Sequence, residues 1–272
     1  MRLLSTVLIA LAVLAVSGRT DPLPPALADA GIEEHLGAFV DRTLAFRDET
    51  GKSVVLGDYL SRGKPVLLNF AYFHCPMLCG LIQDAMVNGM KSMPWTPGRE
   101  YEVLTVSMDT REGPQEALPV KRHLLEKLGK AGAESGWHVL TGGRKPVESL
   151  AASTGFKFNY LPDRNEFAHG AGLIFLSPEG KVSRYLYGVE FSPRDLRLAL
   201  LDASEGRALS LGDKLAMFCY RYDANSKGYV LFAQNFMKAG GALVTVLLAF
   251  LLASLWRQEL KRKRLSVAAG RR

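Results

Sequence analysis

Residues Asn69 to Leu81 read NFAYFHCPMLCGL. The stretch leaves an apolar run, crosses a cysteine–proline pair and sets a second cysteine four residues after the first, where helical spacing begins. Pro76 suits the first turn of a helix, where its missing N–H has no partner to lose. Cys75 and Cys79 then stand one turn apart with both sulfurs on the same side. Amides at a helix start favour thiolate over thiol, so both cysteines are expected to be more acidic than an ordinary one. Four readings fit the pair: a disulfide, a redox couple, half of a metal site, or two buried thiols.

Working outward, Pro65 to Phe70 (PVLLNF) and Tyr101 to Ser107 (YEVLTVS) are continuous apolar runs of the kind that fills a buried parallel sheet. Gly80 to Met93 carries Leu81, Ile82, Ala85, Met86, Gly89 and Met90 at helical spacing. Pro114 to Leu128 is a second helix, with proline in its first turn and Gly129 after its end. Trp137 to Leu140 is a short strand and Val147 to Ser153 a short helix. Leu173 to Leu176 and Val182 to Leu186 flank the turn Pro178-Glu179-Gly180, and Asp195 to Leu201 closes the series as a helix. Upstream, Thr43 to Arg47 and Ser53 to Leu56 flank a turn at Glu49-Thr50-Gly51, which predicts a hairpin. Alternating strands and helices mean an α/β sheet covered by helices. A cysteine-bearing helix start after the first buried strand makes it thioredoxin-like, a central mixed sheet flanked by helices.

The two ends place this domain. Arg2 precedes an apolar run from Leu3 to Val16, the pattern of a secretory signal or an N-terminal anchor over residues 1–28. Residues 29–42 read as a linker, 43–205 as the thioredoxin-like domain and 206–238 as an aromatic-rich juxtamembrane extension. Residues 239–256, AGGALVTVLLAFLLASLW, carry no charge. Eighteen helical residues rise about 27 Å, close to the roughly 30 Å hydrocarbon thickness, so a transmembrane helix is expected there. The net charge of +7 is concentrated past it: residues 257–272 hold seven basic side chains against Glu259 alone, a net of +6. A nucleic-acid partner is therefore not expected, and the basic tail should stay cytoplasmic. This topology puts the domain outside a bacterial cytoplasmic membrane, in the periplasm or its equivalent. There, thiols become disulfides unless something keeps them reduced or metallated. With only Cys75, Cys79 and Cys219, a disulfide scaffold is excluded.

A three-residue spacer still permits a disulfide, but it also lets two sulfurs converge on one soft metal ion, copper(I), or zinc with four ligands. A third ligand must come from His35, His74, His123, His138 or His169. His35 lies in the linker, His74 is turned away from its neighbour Cys75, His123 is on an exposed helix face, and His138 packs in a strand. His169, in AHGAG just before the Leu173 strand, sits in a loop that a thioredoxin-like sheet brings opposite the cysteine-bearing helix start. Thioredoxins place a proline there, and this chain has none.

The CPMLC run after a buried strand, Ser107-Met108-Asp109 and the single histidine before a strand together resemble the Sco/SenC family, over about Thr43 to Ala203. These are membrane-anchored, thioredoxin-like copper proteins. The resemblance implies Cys75, Cys79 and His169 as ligands of copper, Cu(I) or Cu(II), with Asp109 as a supporting residue behind them. It implies delivery of copper to, or reduction of the cysteines of, the binuclear copper site in subunit II of cytochrome c oxidase. Other copper chaperones or thiol reductants are the further partners it suggests. The chain departs from the family in having Ala168-His169-Gly170 where an acid commonly precedes the histidine, and Asp109-Thr110 in place of Asp-Pro. Cys219 has no counterpart. A copper chaperone has no catalytic residues. The alternative function is a thiol–disulfide oxidoreductase of the cell envelope using Cys75 and Cys79, in which one thiolate attacks and the other resolves.

Overall fold

The computed structural model describes residues 30–75, 78–204, 220–223, 228–231 and 240–257. The signal or anchor segment, Pro76, Cys219 and most of the basic tail lie outside these residues.

The core is a five-stranded mixed sheet. In chain order its strands are β4 (Val66–Ala71), β5 (Glu102–Ser107), β6 (Trp137–Leu140), β9 (Gly172–Leu176) and β10 (Val182–Tyr187), lying side by side as β10-β9-β4-β5-β6. β4, β5 and β6 run parallel, while β9 lies antiparallel to β4 and β10 antiparallel to β9. Every residue of β4, β5 and β9 is buried, because helices or loops cover both faces. This is the thioredoxin-like sheet expected from the sequence.

Helices α2 (Leu78–Lys91), α3 (Pro114–Leu128) and α5 (Pro193–Ala203) cover one face, packing Ile82, Met86, Met90, Leu124, Leu128, Leu196 and Ala199 onto Leu67, Val103 and Phe175. Helix α3 begins where Glu116 accepts the Gly113 N–H at 2.9 Å and ends at Gly129, whose φ of 64° is left-handed. Gly89 of α2 has no room for a side chain: a Cβ there would lie 2.5 Å from both Leu196 Cδ1 and the Phe191 carbonyl oxygen. On the opposite face lie α1 (Gly57–Leu60), α4 (Arg144–Ser153) and the predicted hairpin, β2 (Ala45–Arg47) with β3 (Ser53–Val55).

Two elements go beyond the sequence reading. Phe156–Leu161 (β7) and Glu166–His169 (β8) form an antiparallel hairpin whose turn holds Asn165 at φ 51°. His169 is therefore not in a loop, as expected, but is the last residue of a strand, paired with Phe158. Residues 31–42, read as linker, pack on the domain as well. Gly31–Ile32 (β1) pairs with β7, Val40 is buried, and the Gly37 and Val40 N–H groups donate to the Val182 and Gly180 carbonyls. Two further strands, Tyr220–Asp223 (β11) and Gly228–Leu231 (β12), form a hairpin in the segment read as juxtamembrane. Gly240–Arg257 (α6) is a helix of 18 residues, long and apolar enough to cross a membrane, with none of it buried in the protein.

Candidate metal centre

The register of the sheet brings the sequence-predicted residues together. β4 ends at Ala71 and feeds the turn Tyr72–Cys75, closed by the Cys75 N–H donating to the Tyr72 carbonyl at 3.3 Å. Because β9 is antiparallel to β4, with Leu68 opposite Ile174, the start of β9 lies beside the end of β4. The β8–β9 connection, which carries His169, thus arrives where α2 begins.

Cys75 is half-buried and Cys79 almost wholly buried, and neither is in a disulfide. The Cys79 N–H donates to Cys75 Sγ at 3.3 Å, so this sulfur takes one of the donors that a helix start leaves without an intrahelical acceptor. Cys79 departs from the expectation that both thiols are acidic. Its hydrogen bond with the Cys75 side chain and its burial push it well above the ordinary thiol range, outweighing a backbone hydrogen bond at Tyr72 that acts the other way. One sulfur faces the helix-end amides; the other sits deeper, among apolar groups.

His169 Nε2 lies 3.5 Å from Cys79 Sγ, and its Nδ1 lies 2.9 Å from the carbonyl oxygen of Gly170. A carbonyl only accepts, so Nδ1 carries the proton and Nε2 presents its lone pair to the sulfur. This answers the absence of an acid before the histidine: the backbone of the next residue fixes the tautomer. The ring is held among aromatics, 6.0 Å from Phe156 and edge-on to Tyr72 at 6.4 Å. Phe158 and Phe167 extend that wall. The Tyr72 phenol is pushed up by burial and by a hydrogen bond with the Cys75 side chain. Two thiols and an imidazole with its outer nitrogen pinned form a donor set suited to a soft ion. Among the described residues, no three ligating side chains already converge on one point.

Asp109 is placed differently. It is buried and accepts from Arg111 Nε at 2.8 Å and Nη2 at 2.6 Å, and from the Arg111 N–H at 2.9 Å. Burial raises its carboxyl, but the Arg111 hydrogen bonds outweigh this and hold it below the usual carboxylate range. Arg111 continues to Tyr160 and Asn165 on the β7–β8 hairpin. Asp109 thus ties β5 to the hairpin that delivers His169.

His35 does not lie in a free linker, since its N–H donates to the Tyr185 hydroxyl at 2.9 Å, whereas His74, His123 and His138 follow the sequence reading. His138 packs on Tyr59 with ring centroids 4.6 Å apart, and His123 is exposed on α3. His74 is exposed and bound through Nδ1 to Glu112 Oε1 at 3.0 Å. Glu112, which sequence reasoning passed over, is a buried carboxylate against the turn that leads into Cys75.

A family model described as SCO1/SenC matches residues 35–200, a span that contains both cysteines and His169. The chain belongs to the SCO1/SenC family. Proteins of the Sco/SenC family bind copper and take part in cytochrome c oxidase assembly. Among solved structures, one protein of Aquifex aeolicus VF5 designated for electron transfer is 25% identical, with a TM-score of 0.56, covering 64% of this chain and 96% of that one. A second from the same organism, designated for electron transport, is also 25% identical, with a TM-score of 0.52 and coverage of 62% and 98%. Arabidopsis thaliana ScoI with copper bound is 22% identical, with a TM-score of 0.44 and coverage of 59% and 92%. No curated protein matched the chain.

Proposed function

We propose that this SCO1/SenC protein holds copper between Cys75, Cys79 and His169 and passes it to the binuclear copper site in subunit II of cytochrome c oxidase. The observation that carries the reading is the approach of His169 Nε2 to Cys79 Sγ at 3.5 Å with Nδ1 pinned to Gly170. A thiol pair used only for redox exchange has no need of an imidazole fixed in the ligating tautomer. Two sulfurs and one nitrogen suit Cu(I), and Cu(II) with an added ligand. Copper here is cargo: ligand exchange at half-buried Cys75 begins its transfer, and buried Cys79 retains it until the acceptor's thiols engage. Asp109 supports the site at one remove, through Arg111 and the β7–β8 hairpin.

The domain is read as extracytoplasmic, tethered by the helix Gly240–Arg257 with the basic tail in the cytoplasm. Other copper chaperones or thiol reductants would supply the metal or keep the pair reduced. A second reading draws on the same asymmetry. Cys75 attacks a partner disulfide and Cys79 resolves it, so two thiols here become one disulfide while the partner gains two thiols.

Copper titration of the full-length, reduced chain separates the two. One equivalent bound by the native chain, and lost or greatly weakened in Cys75→Ser, Cys79→Ser and His169→Ala, is the result expected. Unchanged copper affinity in His169→Ala would sink the three-ligand site and leave the redox reading ahead.

A further inference from the structure

Among the described residues, Glu112 is the one buried carboxylate whose hydrogen bonds reach the turn entering the candidate site. Its side chain is 3% exposed. Oε1 accepts the Phe73 N–H at 2.7 Å, the His74 N–H at 3.2 Å and His74 Nδ1–H at 3.0 Å, while Oε2 accepts the Ser107 hydroxyl at 2.6 Å. Ser107 Oγ also accepts the Asp109 N–H at 3.1 Å, so this acceptor set is anchored to the end of β5. One carboxylate thereby ties two separate segments: the end of β5 and the turn that connects β4 to Cys75.

Those contacts are specific to the turn. Phe73 and His74 leave the sheet just after β4, so their N–H groups have no strand partners, and amides shielded from water without acceptors are costly. Glu112 Oε1 accepts from both N–H groups, reaching them from a distant part of the chain. The next residue is Cys75, whose sulfur receives the Cys79 N–H and, in the copper reading, must also face His169. Fixing the two preceding peptide planes limits where that sulfur can go.

We propose that Glu112 is a positioning residue for Cys75, holding the Phe73–His74 peptides so that the Cys75 sulfur is presented beside Cys79 and His169. This rests on the copper reading above. It acts by geometry: the acceptor oxygen in place is what matters. Glu112→Gln keeps an oxygen for the backbone N–H groups, Glu112→Asp keeps the charge but withdraws the oxygen by one methylene, and Glu112→Ala removes it.

The test is copper affinity of the full-length reduced chain, with the sulfur-to-Cu(II) charge-transfer band as a second readout and Cys75 alkylation relative to Cys79 as a third that needs no metal. Outer partners of metal ligands typically change affinity by about 10–100-fold when removed. Glu112→Ala is expected to lose about tenfold or more and to shift the band, Glu112→Asp to lose several-fold, and Glu112→Gln to stay within a few-fold of native. The alkylation ratio should change in Ala and Asp and be restored in Gln. Should Ala not fold, Asp and Gln still decide the matter. Native affinity, band and alkylation ratio in Glu112→Asp, or a loss in Gln as large as in Asp, would overturn the proposal. If the native chain itself binds no copper, the metal reading fails on its own, and the alkylation ratios still decide the role of Glu112.

Discussion

His169 donates through Nδ1 to the carbonyl of its neighbour Gly170, 2.9 Å away, and in doing so aims the Nε2 lone pair at Cys79 Sγ. The site therefore needs no acid beside the histidine. A backbone carbonyl sets the tautomer as a carboxylate would, without adding a charge to a site that already gathers two thiols.

That arrangement depends on the AHGAG segment fitting beneath β1. A Cβ on Gly170 would lie 2.8 Å from the Gly31 carbonyl carbon and 2.8 Å from Ile32 Cγ1, contacts that force the backbone to move. Gly170→Ala is expected to cost about 1–3 kcal/mol by overpacking and to weaken copper binding together with stability. Urea unfolding and copper titration on the same preparation check this. A stable Gly170→Ala chain with native copper affinity would show that the Gly170 contact does not set the imidazole.

The two cysteines should react in order. Cys75 is half-buried and accepts a helix-end N–H, whereas Cys79 is 3% exposed and its thiol is pushed up. Brief alkylation of the native reduced chain, followed by peptide mass spectrometry, should label Cys75 at least about tenfold faster than Cys79. Equal rates would show that the sulfurs are not divided in this way.

Stability should fall in mild acid through His138. Burial first, then the nearby Lys121 cation, hold its imidazole down at about 4, against an ordinary 6.5, although Glu49 pulls the other way. The folded protein keeps this ring neutral where the unfolded chain would protonate it. Its contribution is thus complete above about pH 6.5 and is lost as pH falls toward 4, by about 1–3 kcal/mol. Urea midpoints across that window should drop less for His138→Gln than for the native chain. Parallel curves would assign the acid sensitivity to other groups.

The helix Gly240–Arg257 is expected to hold the chain in membranes. Leu247→Arg places a charge near its centre, at a cost of about 2.5–3.5 kcal/mol to insertion. The native chain should stay with membranes after alkaline carbonate extraction, and release should rise in the variant. Complete release of the native chain would remove the tether.

The sheet was legible because strands buried on both faces must be continuously apolar, as VLLNFA and EVLTVS are. The cysteine-bearing helix start was legible from Pro76 and the spacing alone. The β7–β8 hairpin was not, because FKFNYL interleaves Lys157 and Asn159 with its aromatics and carries only a half-buried face. Its signal was the alternation of Phe156, Phe158 and Tyr160 before a Pro-Asp-Arg-Asn turn. The packing of residues 31–42 was hidden by composition, since it rests on backbone pairing with β7 and β10 rather than on an apolar pattern. Of the candidate site, Cys75, Cys79 and His169 could be singled out from residue type and order. Glu112 could not, because its meaning arises only when β5 and the Tyr72–Cys75 turn are brought side by side. The opposed environments of the two sulfurs likewise depend on depth, which spacing does not encode.

The proposed copper site has two sulfurs and one nitrogen. X-ray absorption of the full-length chain loaded with one equivalent of Cu(I) counts those ligands directly. Two sulfur scatterers at about 2.3 Å and one imidazole nitrogen at about 2.0 Å are expected, lengths like those of zinc–thiolate and zinc–imidazole bonds, with the nitrogen lost in His169→Ala. A spectrum with two sulfurs only, unchanged in His169→Ala, would contradict it.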